Sequence, residues 1–464
     1  MIDLFEKFPL LKRIVSSRAF PFLVIFPNLV FFYFFLLAGL LGTPVGSHNI
    51  IVVFVWIFWW FILITFMVPF GSRIWCTVCP LPAIGEWLQR MAFIRVRRGE
   101  TIKGFQGKFF GLNKPWPKRF QNIWPQNAGF LVLACFSGFL VTRPIVSVLV
   151  LGGMIVISTI LALIYRMRSF CMYLCPVSGF LGLYAMTAKL ALRHKDPEVC
   201  KAHKRKECFL GGDRGYPCPW FQNMSTMERN NYCGLCMECV RNCEKNNIGL
   251  FWRPFCSDKN IKGYDESWKA FIMITLAFVY SVNLLGPWGI FKDWVNFTES
   301  GRWPGFILVS LSIVLLCVVI VPAIYWLFIF WAKRLSGNKD VSIETLFIKY
   351  SYCLVPLGLL AWVAFSIPLI MVNGSYIIAV ISDPFGWGWN LFGTASFPWK
   401  PFLPHWVPYI QIPVLLLGLY YSLKSTYEIG EKIFPSKDEL IRSLIPLSIF
   451  LAGLTLGFLR LFAG

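Results

Sequence analysis

The sequence predicts an all-α polytopic membrane protein of about nine spanning helices, with one small cysteine-rich domain inserted on the inner side. Three observations carry this. The 464 residues are 57% hydrophobic and 14% charged, with mean hydropathy +0.62, whereas soluble domains are about a quarter charged. Several apolar runs approach or exceed the roughly 20 residues a bilayer crossing needs. The segments between them divide into strongly basic and weakly charged ones, and most of the fifteen cysteines lie in the basic set. A net charge of +21 would point to nucleic acid in a soluble protein. Here it belongs to inner loops, which are rich in Lys and Arg, so no nucleic-acid partner is expected and the lipid bilayer is.

Taken in order, residues 1–18 carry Lys7, Lys12, Arg13 and Arg18 without a cleavable-signal pattern, which places the N-terminus inside. Residues 19–41 and 49–70 form a first pair of spans, followed by a basic inner loop to about Pro125. The apolar region 128–165 is too long for one span, and Arg143-Pro144 divides it into 128–142 and 145–165. A soluble segment, 193–262, separates this half (1–192) from a second membrane half (263–464). There, spans are expected over 271–286, 305–332, 350–372, 406–421 and 443–462, with outer loops holding Lys292, Asp293 and Glu299 and, later, Trp387, Trp389 and Trp399. The tryptophans suit an interfacial belt. Nine crossings put the C-terminus outside.

The soluble segment contains Cys233-Gly-Leu-Cys236-Met-Glu-Cys239-Val-Arg-Asn-Cys243. The spacing C-x2-C-x2-C-x3-C wraps a cubane iron–sulfur cluster, because each thiolate must reach a different iron corner in short steps. Glu244 stands where proline commonly follows the last cysteine. A zinc knuckle is the competing reading, but zinc sites usually split their ligands into two separated pairs. In two-cluster ferredoxins the fourth cysteine of one run often serves the other cluster. By that logic Cys233, Cys236 and Cys239 take a partner from Cys218 or Cys256, and Cys243 joins Cys200 and Cys208. His203, in Cys200-x2-His203-x4-Cys208, is a candidate for a missing corner, against the plainer reading of a solvated loop histidine beside Lys204. About 70 residues leave this segment little apolar core, so metal is expected to contribute much of its folding energy.

A second pattern is an internal repeat. Arg73-Ile-Trp-Cys76-Thr-Val-Cys79-Pro80 and Arg168-Ser-Phe-Cys171-Met-Tyr-Leu-Cys175-Pro176 each follow a helical hairpin that returns to the inner face. Together they offer four thiolates on one side of the membrane, enough for one more cluster, and each continues into an apolar stretch (81–93 and 177–192) expected to lie as a helix along the membrane surface. Disulfides are rare on the inner side, so metal is the better reading of these cysteines. Cys135, Cys317 and Cys353 lie within apolar runs and read as packing residues.

No Walker loop, G-x-G-x-x-G turn or C-x-x-C-H motif is present, and none of the four histidines pairs with another across mid-membrane. Haem ligated by this chain is therefore not expected. His405, opening a span at the outer face, can touch a quinone or a partner, but an ordinary interfacial histidine explains it as well.

These motifs resemble the membrane-bound polyferredoxins associated with periplasmic nitrate reductase and nitrous-oxide reductase systems. Cys171-Met-Tyr-Leu-Cys175-Pro176 matches their Cys-x3-Cys-Pro hairpin end, Cys76-Thr-Val-Cys79-Pro80 matches it with one residue fewer, and the Cys233–Cys243 run matches their ferredoxin module. The likeness covers roughly residues 20–262. It implies a ferredoxin-like inner domain, two to three [4Fe-4S] clusters and a bacterial cytoplasmic membrane location. It further implies an electron-transfer subunit of a larger complex, with a cytoplasmic donor or quinol on one side and a periplasmic cytochrome c as partner. A redox maturation factor that reduces a partner's metal centre is the alternative. A transporter is disfavoured because no acidic residue stands clearly in mid-span.

Overall fold

The computed structural model describes residues 1–94, 109–285, 301 and 303–463. Among these residues it is 67% helical with few strands, and seven helices are long and apolar enough to cross a membrane. They are Phe20–Leu41, Ile50–Gly71, Pro144–Ile164, Trp303–Ser336, Ile343–Asn373, Pro404–Gly430 and Lys437–Phe462. Only in helical form can such apolar stretches satisfy their own backbone groups inside lipid. The other two expected spans differ. Residues 128–142 fall within two shorter helices, Trp124–Cys135 and Ser137–Thr142, with Phe136 between them. Of the stretch 271–286, the described residues belong to a helix that starts earlier, Tyr264–Tyr280, and continues as a π-turn to Leu285; residue 286 lies outside the described residues. Residues 95–108 of the basic loop, and the outer loop with Lys292, Asp293 and Glu299, lie outside the described residues.

The chain divides into two compact units. One comprises residues 1–37, 66–126 and 148–258, the other 38–65, 127–147 and 259–464. Most of the segment 193–262 thus belongs to one unit with the N-terminus and parts of the first, second and fourth expected spans. The reason is core: Phe5, Val15 and Leu192 pack with Met224, Met227, Leu235, Val240, Ile248 and Leu250, apolar surface that residues 193–262 do not carry alone. A three-stranded antiparallel sheet seals the arrangement: β1 (Ile2–Asp3), β2 (Leu190–His194) and β3 (Ile248–Trp252), in the order β1-β3-β2.

The two repeats continue differently. The first enters a short helix, Ala83–Arg90. The second enters Pro176–Tyr184, but the helix expected to reach Leu192 stops there, because 190–194 pair with β3 as β2.

In the other unit, the long helix Leu354–Asn373 is buried over most of its length. Helix Val407–Gly430 packs on it through Gly418, where an added Cβ would lie 3.2 Å from side chains of Leu357 and Leu360. Trp362 is fully buried there, edge-on to Trp60 and Tyr280, and donates its indole N–H to the Met273 carbonyl at 3.0 Å.

Candidate metal centres

Eleven cysteines of the first unit fall into three groups whose members act electrostatically on one another.

The first is the hairpin pair. Cys76 lies in the helix Ile74–Val78 and Cys79 caps its end. Cys171 lies in Ser169–Tyr173, and Cys175 is the N-cap of Pro176–Tyr184. All four are buried. Burial pushes the Cys171 thiol well up from its ordinary value, and Cys175, Cys79 and Cys76 add to it. Burial likewise raises Cys79, with Cys76 and Cys175 adding, and raises Cys175, with Cys76 adding. Two buried arginines oppose this crowding. Arg73 donates to Cys76 Sγ at 3.7 Å and to Ser178 Oγ and the Asn231 carbonyl. Arg168 donates to the Cys76 carbonyl at 2.6 Å and to Glu86 Oε2 through Nε at 3.0 Å and Nη2 at 2.6 Å. These are the repeated arginines of the two motifs, so their spacing from the cysteines has a structural purpose.

The second group is Cys218, Cys233, Cys236 and Cys239. Burial raises Cys239 far above its ordinary value, followed by Cys236, Cys233 and Cys218. It pushes Cys236 up to about 11, with Glu238 adding and Arg168 opposing. Cys218, one of the two candidates for the fourth position, acts on this group. Cys256 is buried, with φ 60 and its amide on the Thr187 carbonyl at 2.8 Å. The loop curls tightly: Leu235 (φ 53) and Met237 (φ 62) both adopt the left-handed backbone, as does Phe221 (φ 52) after Cys218. Such conformations cost non-glycine residues about 1–3 kcal/mol each and persist where the surroundings demand them, commonly at ligand clamps.

The third group is Cys200, Cys208 and Cys243. Asn247 ties two of them, its backbone N–H on Cys243 Sγ and its side-chain amide on Cys200 Sγ, each at 3.2 Å. Burial pushes Cys208 up to about 11, with Cys243 and Cys200 adding. The three thiols line one cavity together with His203, Lys206, Asn223 and Ser225. His203 also lies with Glu207 and Glu244, one ligand atom of each within 4.8 Å of the others.

Whether these residues fit an iron–sulfur group can be judged from three features. First, amides two residues on favour the anionic sulfur at Cys79 (Leu81), Cys175 (Val177), Cys218 (Trp220), Cys233 (Leu235) and Cys236 (Glu238), as hydrogen bonds to a charged form do. Second, Trp220 Nε1, Arg73 Nε and Arg241 Nε are buried N–H groups lacking an acceptor among the described residues, a costly state that an anionic centre would relieve. Third, among the described residues no three cysteine Sγ atoms lie within 4.8 Å of one another. One tetrahedral zinc, with Zn–S near 2.3 Å, would draw its thiolates to roughly 3.8 Å apart. Thiols, amide donors and unpartnered buried N–H groups are a donor set that an anionic iron–sulfur group could use.

The sequence missed the residue that binds the first two groups. Trp220 is 1% exposed, and its ring lies 4.3 Å from the Arg73 guanidinium and 6.0 Å from that of Arg168. Its indole edge abuts Gly234, inside the Cys233–Cys236 loop, and Thr77 Oγ1 donates to the Gly234 carbonyl. The available signal was Cys218-Pro219-Trp220, a third Cys-Pro pair beside an aromatic. A Cβ on Gly234 would sit 2.1 Å from Trp220 Nε1. Gly234→Ala is expected to cost about 1–3 kcal/mol through overpacking and to shift the indole. Thermal unfolding with tryptophan emission reads both, and an unchanged midpoint and spectrum would mean the loop absorbs a methyl freely. Compared with protein-family models, with characterised proteins and with solved structures, the chain has no match.

Proposed function

We propose that this chain is a membrane-integral iron–sulfur subunit that relays electrons between a cytoplasmic donor or quinol and a membrane or periplasmic partner such as a cytochrome c, in the manner of the polyferredoxins it resembles. In this reading the chain crosses the bacterial cytoplasmic membrane nine times, with its N-terminus and cysteine groups inside. The observation that carries it is the convergence of eleven cysteines into three buried or half-buried groups, with amide donors on the sulfurs.

A bound [4Fe-4S] cluster supplies one-electron oxidation and reduction without proton transfer or bond-making. The chain's own residues do the rest. Cys76, Cys79, Cys171 and Cys175 offer one complete set of thiolates, and Cys218, Cys233, Cys236 and Cys239 another. Arg73 and Arg168 supply buried positive charge beside these sets, which favours a reduced, more negative centre. Trp220 and the apolar core around Met224, Met227 and Leu235 keep water from the second set. Crossing about 30 Å of hydrocarbon needs a further carrier, hence the partner.

The test is iron and acid-labile sulfide per chain on anaerobically purified protein, with EPR after reduction. About twelve irons, three cubanes of four, with interacting signals are expected. Stoichiometric zinc without iron would end the electron-transfer reading.

A further inference from the structure

The first two groups each have four cysteines, but the third has three. What stands at its open corner is on the page. His203 lines the same cavity as Cys200, Cys208 and Cys243. One ring nitrogen of His203 and one carboxylate oxygen each of Glu207 and Glu244 lie within 4.8 Å of one another. Metal-bound histidine almost always carries a carboxylate or carbonyl on its other ring nitrogen, which fixes tautomer and orientation. Glu207 and Glu244 are the carboxylates near enough to His203 to serve in that role.

The segment is built to hold these parts together. Asp196 caps the helix Pro197–Ala202 that presents Cys200, accepting from Glu198 N at 2.8 Å. His203 is that helix's C-cap. Asn247 binds the Asp196 carbonyl through its side-chain amide at 2.6 Å while touching both Cys200 and Cys243. Lys206, at φ 46, turns the chain immediately before Glu207 and Cys208. Glu244 occupies the position after the last cysteine of the run, and this arrangement gives it a role there.

We propose that His203 completes the third centre as its fourth ligand, with Glu207 and Glu244 orienting the imidazole. This rests on the iron–sulfur reading of the cysteine groups. A neutral imidazole in place of a thiolate removes one negative charge from the centre. Its reduced form is then less disfavoured, so this centre has the highest potential of the three, as histidine ligation raises potentials elsewhere. A rim of half-buried Lys206 and exposed Lys245 works in the same direction.

The experiment uses full-length protein in detergent, purified anaerobically from cells grown with 15N-histidine or unlabelled histidine, as wild type, His203→Ala and His203→Cys. Pulsed EPR of the reduced centres, metal content and redox titration are the readouts. The expected result is a histidine nitrogen coupling in the wild type that changes with isotope and vanishes in both variants. His203→Cys should keep about twelve irons while the highest midpoint moves down toward the other two. Full iron with no nitrogen coupling in the wild type overturns the assignment, as does an unmoved midpoint in His203→Cys. His203→Ala protein that retains all its iron and loses one equivalent of another divalent metal also overturns it, since His203, Glu207 and Glu244 would then hold a separate ion. Zinc without iron in the wild type fails the underlying reading instead, so the two failures are distinct.

Discussion

Replacing Cys76 and Cys171 together with serine is expected to remove one whole centre, taking the chain from about twelve irons to about eight. Each hairpin then has a single thiolate, and neither can hold a cubane alone. The remaining eight should survive because members of the other two groups, Cys208, Cys233, Cys239 and Cys243, pack in a core with Phe5, Val15 and Leu192. Iron and sulfide analysis with EPR reads the loss, and the signature is disappearance of one spectral component, not a uniform decrease. Twelve irons in the double variant would mean the hairpin thiols bind none. The same group predicts a pH effect. Burial and mutual repulsion hold Cys79, Cys171 and Cys175 above their ordinary values, so without metal they keep their protons. Loading must expel those protons, and reconstitution of this centre should therefore improve as pH rises.

How much of this was legible depended on distance along the chain. The 233–243 run declared itself because its spacing is local, and the left-handed turns at Leu235 and Met237 are the backbone consequence of that spacing. The joining of Cys243 to Cys200 and Cys208 followed from ferredoxin logic. Whether Cys218 or Cys256 completed the other set did not, because that choice depends on which turn folds back onto the loop. Glu86 and Asn247 were invisible for the same reason: each acts on cysteines through tertiary contact, and neither belongs to a spaced motif, while Trp220 was marked only by the Cys-Pro pair before it. Residues 190–192 read as the end of a surface helix because their apolar run fits either structure, and pairing of 190–194 with 248–252 decided it for strand. The break at Phe136 has no proline to mark it. The separate soluble domain expected over 193–262 instead shares its core with the first fifteen residues, a debt that composition hints at and sequence order conceals.

Glu86→Gln should be the most damaging change outside the cysteines. Glu86 is 7% exposed and accepts from Arg168 at 3.0 and 2.6 Å and from Arg90 at 2.5 Å. Arg90 and Arg241 both also reach Glu238, at 3.7 and 2.9 Å, and Glu238 accepts from the Tyr216 amide at 3.0 Å. One network thus runs from the first hairpin to the loop of the second group. Removing the Glu86 charge leaves Arg168 buried without its counter-ion, a loss of about 3–5 kcal/mol for a broken buried pair, and it loosens the hold of Arg168 on the Cys76 carbonyl. The midpoint of thermal unfolding in detergent should fall by several degrees, with iron released from the first centre before the others. The pH dependence follows from the same contacts. Burial alone would raise the Glu86 carboxyl, but Arg168 and then Arg90 overrule it and hold the group below the ordinary carboxylate value. A carboxyl lowered in the folded state contributes stability that is complete above its unfolded value and is lost as pH falls through its folded value. Wild-type protein should therefore lose stability on the acid side through that window, and Glu86→Gln should start lower and show a shallower acid limb. Glu86→Leu combined with Arg168→Met removes both charges and should recover much of the loss, since a pair replaced by apolar groups leaves no charge stranded. An unchanged midpoint in Glu86→Gln, with the wild-type acid limb intact, would show that Arg168 is held by the Cys76 carbonyl and the Trp220 ring alone.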